Sequence, residues 1–110
     1  MSPKNTRQKR YSFNSPIWRY KSHAGWYFVT LPKPLSKTLR KLHGSSEEGW
    51  GRLRVEAAVG KSKWKTAIWY DTKLSSYLLP IKFAIRKANQ IDEGKILSVK
   101  LTIDIGAFGF

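Results

Sequence analysis

Residues 52–71 read RLRVEAAVGKSKWKTAIWYD, two runs of alternating apolar and polar residues separated by a glycine. Alternation with period two marks a half-buried strand, and the β-branched and aromatic residues in both runs favour a pleated surface. With Gly60-Lys61-Ser62-Lys63 as a four-residue loop, Val59 faces Trp64, Ala57 faces Thr66, Val55 faces Ile68 and Leu53 faces Tyr70. These pairs share one mostly apolar face. The other face sets Ala58 against Lys65, Glu56 against Ala67, Arg54 against Trp69 and Arg52 against Asp71. Because a strand's side chains alternate strictly, pleat and loop length must agree, and here they do.

The same period recurs on either side. Residues 17–21 and 26–31 read as strands around Ser22-His23-Ala24-Gly25. A four-residue loop there sets Lys21 against Trp26, Tyr20 against Tyr27, Arg19 against Phe28 and Trp18 against Val29. Trp18, Tyr20, Tyr27, Val29 and Leu31 then form the more apolar face. Pro16 has no N–H to give to a ladder, so it belongs at an edge, a bulge or a strand start. Leu35, Leu39 and Leu42 recur at helical spacing after Pro34, with Lys37, Arg40 and Lys41 suited to the C-terminal half of a helix. Pro80 opens a second short helix with Ile81, Ala84, Ile85 and Ala88 on its stripe and Phe83 off it. Leu97, Val99, Leu101, Ile103 and Ile105 alternate with polar residues in a last strand. The pattern predicts a mainly β domain, a small, partly open antiparallel β-barrel with two short helices, because closure disposes of exposed strand edges.

A chain of 110 residues is one domain by length. Residues 1–10 are polar and basic without apolar period and read as a flexible arm, 11–105 as the barrel domain, and 106–110 as a C-terminal tail. There is no cysteine, which leaves out disulfides and zinc–thiolate sites. The first residues lack the apolar region of a signal peptide, and no apolar run reaches the roughly 20 residues that span a bilayer, so the expected setting is the cytoplasm without membrane insertion.

Lys and Arg number 21 against 7 Asp and Glu, a net charge of +14. The arm supplies four of these charges through Lys4, Arg7, Lys9 and Arg10, which leaves +10 on residues 11–110. A body so charged attracts nucleic acid or another polyanion, or else carries its charge for solubility.

Four segments resemble a known family: GWYFVTLP (25–32), GRLRVEAAVGKSKWKTAIWYD (51–71), YLLPIKFAIRKA (77–88) and DEGKILSVKLTID (92–104). Together they resemble the family called domain of unknown function 1905, found mainly in bacteria, over roughly residues 13–104. The resemblance implies a small, mostly β, partly open barrel, and it carries no assigned activity or site residue. Gly60-Lys61 stands here for a usual Gly-Gly, Trp69-Tyr70 for a Phe-Pro, and Lys95 for an acidic residue. Lys61 and Lys95 add positive charge.

The residues that could carry chemistry are few. Gly60-Lys61-Ser62 lacks the earlier glycine of a phosphate loop, since that position is Val55, and it joins two strands rather than a strand and a helix. His23 and His43 are not spaced as a pair, and the carboxylates Glu47, Glu48, Glu56, Asp71, Asp92, Glu93 and Asp104 do not converge in sequence. No cofactor, metal or catalytic set is indicated. What remains is interleaving of cations with aromatics: Arg19, Lys21, Trp26 and Phe28 on one hairpin, Arg54, Lys65 and Trp69 on the other. Cations beside flat rings suit single-stranded nucleic acid, whose bases stack while its phosphates are neutralised. The same interleaving serves internal cation–π packing. The expectation is a non-catalytic binding module for an anionic partner such as nucleic acid, with small-molecule or peptide binding in the barrel mouth, or protein interaction, as the alternatives.

Overall fold

The computed structural model describes residues 6–22 and 25–107, with side chains described for 8–22 and 25–104. Its elements run β1 (Thr6–Arg19), β2 (Tyr27–Thr30), α1 (Lys33–His43), β3 (Arg52–Val59), β4 (Ser62–Asp71), β5 (Ser76–Pro80), α2 (Phe83–Ala88) and β6 (Ile96–Ala107). Two single 3-10 turns connect α1 to β3. Every strand pair is antiparallel, and the ring β1-β2-β5-β4-β3-β6 closes on itself.

Closure corrects the partly open barrel expected from the sequence, and two elements account for it. Residues 76–80, too short to show a period beside Pro80, form β5 and bridge β2 to β4. β6 is long enough to pair with β1 along one side and with β3 along the other, through Glu56–Thr102, Ala57–Leu101, Ala58–Lys100 and Val59–Val99. β1 likewise begins earlier than the apolar period suggests. Residues 8–10, part of the predicted arm, pair with Asp104, Ile103 and Thr102 of β6. Pro16 stands opposite Ile96, the first residue of β6, and outside the three pairs that β1 makes with β2.

One face of each strand fills the barrel. Phe13, Ile17, Val29, Leu53, Val55, Ala57, Val59, Ile68, Tyr77, Leu79, Leu97, Val99, Leu101 and Ile103 are all buried there. Each fully buried aliphatic side chain contributes roughly 1.5–3 kcal/mol relative to exposure, so the inward set governs the register of every strand. α1 closes one end, but with Ser36, Leu39 and His43 inward; Leu42 of the predicted stripe is exposed. Ser36 seats the helix by accepting a hydrogen bond from the Tyr77 backbone N–H on its Oγ at 3.0 Å. Ile81, Ile85 and Ile91 cover the other end, where α2 lies.

Both predicted hairpin registers shift. In the β3–β4 hairpin Val59 pairs with Ser62 across a two-residue turn, Gly60-Lys61, so Ala57 meets Trp64, Val55 meets Thr66 and Leu53 meets Ile68. The shift is two residues, so every side chain keeps its face. Gly60 has φ 57° while Lys61 is not left-handed, the pattern of a type II′ turn, whose twist matches that of paired strands. Ser62 and Lys63 extend the strand instead of the loop. In the β1–β2 hairpin Ile17 pairs with Val29, Trp18 with Phe28 and Arg19 with Tyr27, a shift of one. A one-residue slip exchanges the faces. Ile17 turns inward, and Trp18 and Tyr20 turn outward to join Trp26 and Phe28.

The Gly60 turn packs on Asn89, which accepts a hydrogen bond from the Lys61 N–H at 2.9 Å and donates to Ser62 Oγ and the Ile85 carbonyl, each at 2.9 Å. A Cβ on Gly60 would lie 2.3 Å from Asn89 Oδ1. We expect Gly60→Ala to lower unfolding free energy in urea by about 2 kcal/mol, from the left-handed backbone and the contact with Asn89 together. In an Asn89→Ala background the same substitution costs less, which a double-mutant cycle reads directly.

Candidate nucleic-acid interface

The β1–β2 ribbon projects past the first residue of β6, opposite Pro16, and past the last residue of β5, opposite Phe28. The register of this ribbon places four aromatic side chains on its outer face. Phe28 is the centre: the Trp18 ring lies 5.3 Å from it, Trp26 5.9 Å and Tyr20 6.1 Å, centroid to centroid. These are the separations of favourable ring–ring contacts. Trp18 Nε1 donates to Thr30 Oγ1 at 2.9 Å, which fixes the base of the cluster, and the Tyr20 N–H donates to the Trp26 carbonyl at 2.8 Å. Trp18 and Phe28 are half-buried, Tyr20 is exposed, and Trp26 is 54% exposed. The result is a ridge with an ordered base and an exposed Trp26 ring.

The cations predicted beside Trp26 are exposed at the same end, but not all on its face. Arg19 pairs with Tyr27, so it shares the side of the ribbon that carries Ile17 and Val29 further along. Lys21 is exposed in the turn that follows β1. Arg86 lies with its guanidinium 3.9 Å over the Tyr27 ring and 5.5 Å from the Phe83 ring. It also donates to the Gly25 carbonyl at 3.4 Å, tying α2 to the turn of the ribbon. Phe83 is exposed.

Arg54, Lys65 and Trp69 form a second group, on the outer face of β3 and β4. The two-residue shift of that hairpin replaces Arg54 by Arg52 opposite Trp69, with the Arg52 guanidinium 5.6 Å from the ring centroid. Glu48 holds both arginines, through a short contact with Arg52 Nη1 and at 2.9 Å from Arg54 Nε. Lys65 stands opposite Glu56. Asp71, predicted to pair with Arg52, instead accepts the Leu74 N–H at 2.9 Å. The pairs Thr30–Leu78 and Leu78–Trp69 put β5 between the two groups, about 10 Å across two strand spacings. The groups share the outer surface of the barrel without touching.

Among the described residues every ion pair is made by an arginine, Arg40, Arg52 or Arg54. The described lysine side chains are all exposed. Trp50, not singled out by the sequence, is 93% exposed with φ 68°, a left-handed backbone rarely adopted by a bulky residue. Its flanking glycines, Gly49 and Gly51, were the available signal for an irregular, displayed tryptophan.

A family model described as Domain of unknown function (DUF1905) matches residues 13–101. The chain belongs to the DUF1905 family. No curated protein matches it. The matched span reaches from β1 into β6 and takes in all six strands of the ring, the ridge, and the second cationic group. The ribbon that residues 6–12 make with the end of β6 continues beyond the DUF1905 match.

His23 lies outside the described residues. His43 is buried under the DUF1905 barrel's α1 end, and its Nε2 shares a 2.8 Å hydrogen bond with the Tyr11 hydroxyl. Among the described residues no three His, Cys, Asp or Glu side chains gather as a metal site, and no helix is long and apolar enough to cross a membrane. Burial, with the Lys9 charge added, holds the His43 imidazole below its ordinary pKa. The unfolded chain therefore binds this proton more readily, so stability falls as pH drops from about 6.5 through the lowered value. We expect wild type to lose more stability than His43→Gln between pH 7.5 and pH 5.5, measured by urea unfolding at the two pH values.

Proposed function

We propose that this DUF1905 domain is a binding module for single-stranded nucleic acid and that the ridge of Trp18, Tyr20, Trp26 and Phe28 is its base-stacking surface. The observation that carries the reading is an ordered aromatic cluster, exposed at Trp26, on the outside of a closed barrel whose interior is filled by its own side chains. Stacking on an exposed ring contributes roughly 1–3 kcal/mol per base and tolerates any sequence. Arg19 and Lys21 at the end of the ribbon supply phosphate contacts, and the net charge of +14 draws a polyanion to the domain at long range. Trp69, with Arg54 diagonal to it and Lys65 four residues along β4 on the same outer surface, extends the path by a second stacking position.

The test is fluorescence-anisotropy titration of a labelled single-stranded oligonucleotide. We expect salt-dependent binding, with the single strand preferred over the matching duplex because a duplex keeps its bases stacked. Trp26→Ala weakens binding by about 5- to 150-fold, the equivalent of one lost stacking contact. Arg19→Ala and Lys21→Ala each flatten the plot of log affinity against log salt by about 0.7. Absence of binding at about 50 mM salt, where such contacts are strongest, contradicts the reading.

A further inference from the structure

At the opposite end of the barrel from the ridge, a groove of about 420 Å³ opens between α1 and the turn that joins β4 to β5. Lys33, Lys37, Arg40, Lys41, Tyr70 and Ser75 line it: four cations and no acid. Positions 33, 37, 40 and 41 fall on one face of a helix. The packing of α1 does not need them, because Ser36, Leu39 and His43 make its buried stripe. The helix also does not favour them. Like charges four residues apart repel by a few tenths of a kcal/mol, and Lys33 stands in the first turn, the positive end of the helix dipole. Arg40 and Lys41, in the last turn, suit that dipole; Lys33 does not.

One wall of this groove is held in place. The Arg40 guanidinium lies 3.8 Å over the Tyr70 ring, and its Nε is 3.6 Å from Glu47 Oε2. The same carboxylate oxygen accepts the Tyr77 hydroxyl in a short hydrogen bond, and Tyr77 is fully buried with its ring edge-on to Tyr70 at 5.2 Å. Arg40 is thus oriented by a chain of contacts that ends in the core. Lys33, Lys37 and Lys41 are exposed and make no ion pair among the described residues. With Glu47 set against Arg40, the site retains a charge of +3.

We propose that this groove binds a compact oligophosphate, two or three linked phosphates, either free or as the phosphate tail of a nucleotide. One phosphate brings about −1.5 to −2 and leaves the cations unbalanced, whereas two or three linked ones match them. The fixed, planar guanidinium of Arg40 suits paired phosphate oxygens, and the lysines act as movable point charges around it. The groove has the volume of an ordinary ligand site. The proposal is independent of the ridge and of nucleic-acid stacking.

Isothermal titration of the full chain at about 50 mM salt with inorganic tripolyphosphate, a nucleoside triphosphate and orthophosphate tests it. We expect saturable one-to-one binding of tripolyphosphate, at least tenfold tighter than orthophosphate. Equal affinity for the nucleoside triphosphate assigns recognition to the phosphates alone, and tighter binding assigns the site to a nucleotide. The double variant Lys37→Gln/Lys41→Gln, at exposed helical positions, weakens tripolyphosphate binding tenfold or more while its thermal midpoint without ligand stays near that of wild type. Trp26→Ala leaves it unchanged, which separates this site from the ridge. No saturable binding, orthophosphate binding as tight as tripolyphosphate, or wild-type affinity in the double variant overturns the proposal.

Discussion

The structure depends on closure of the ring through the four residue pairs that join β3 to β6. Once those pairs form, each of the six strands has one face inside and one outside, and no long strand edge remains for another chain to extend. The inward faces supply a continuous apolar filling, from Phe13 on β1 to Ile103 on β6. Whatever the protein does with other molecules is therefore done on its outer surface or at its two ends. That constraint gives the aromatic ridge its meaning. Trp18, Tyr20, Trp26 and Phe28 are not surplus core residues displaced by a packing error, because the inner positions beside them are already taken by Ile17, Val29 and Leu31.

Charge is divided along the same lines. Two carboxylates near the cations are committed to arginines: Glu47 to Arg40, and Glu48 to Arg52 and Arg54. The lysines stand outside these pairs, spread over the strands, the turns and the exposed face of α1. Arginine fixes geometry here, over Tyr27, Tyr70 and Trp69, while lysine supplies field. This matches the chemistry of the two side chains, a planar fork that stacks and a hydrated point charge that moves.

The sequence revealed the strands more readily than their partners. Alternation identified β3, β4 and most of β6, and the inward residues Leu53, Val55, Ala57, Leu97, Val99, Leu101 and Ile103 were all legible from it. Loop length was not. Ser62 and Lys63 are polar and were read as loop, but polar residues also alternate on the outer face of a strand, and the type II′ turn at Gly60 needs only two residues. In the first hairpin both faces are rich in aromatics, so hydropathy could not choose between registers one residue apart, and the choice fell to Ile17. β5 was hidden because Tyr77-Leu78-Leu79-Pro80 is short and its proline reads as a helix start. Of the candidate site, the sequence singled out Trp26, Arg19, Lys21, Arg54 and Lys65, but whether they face solvent came only with the fold. The contribution of Trp18 and Tyr20, the Arg86–Tyr27 contact and the display of Trp50 needed the register and the fold of the chain.

We propose that the outer face of the β1–β2 ribbon is the surface that meets a partner. The most direct measurement is a nitrogen–proton correlation spectrum of the labelled protein during titration with a single-stranded oligonucleotide. The indole Nε1–H of Trp26 and the backbone amides of Tyr20 and Phe28 should shift most, while Trp64, whose side chain packs against the core, stays in place. Saturable shifts confined to other parts of the barrel, with the Trp26 indole unmoved, would contradict the claim.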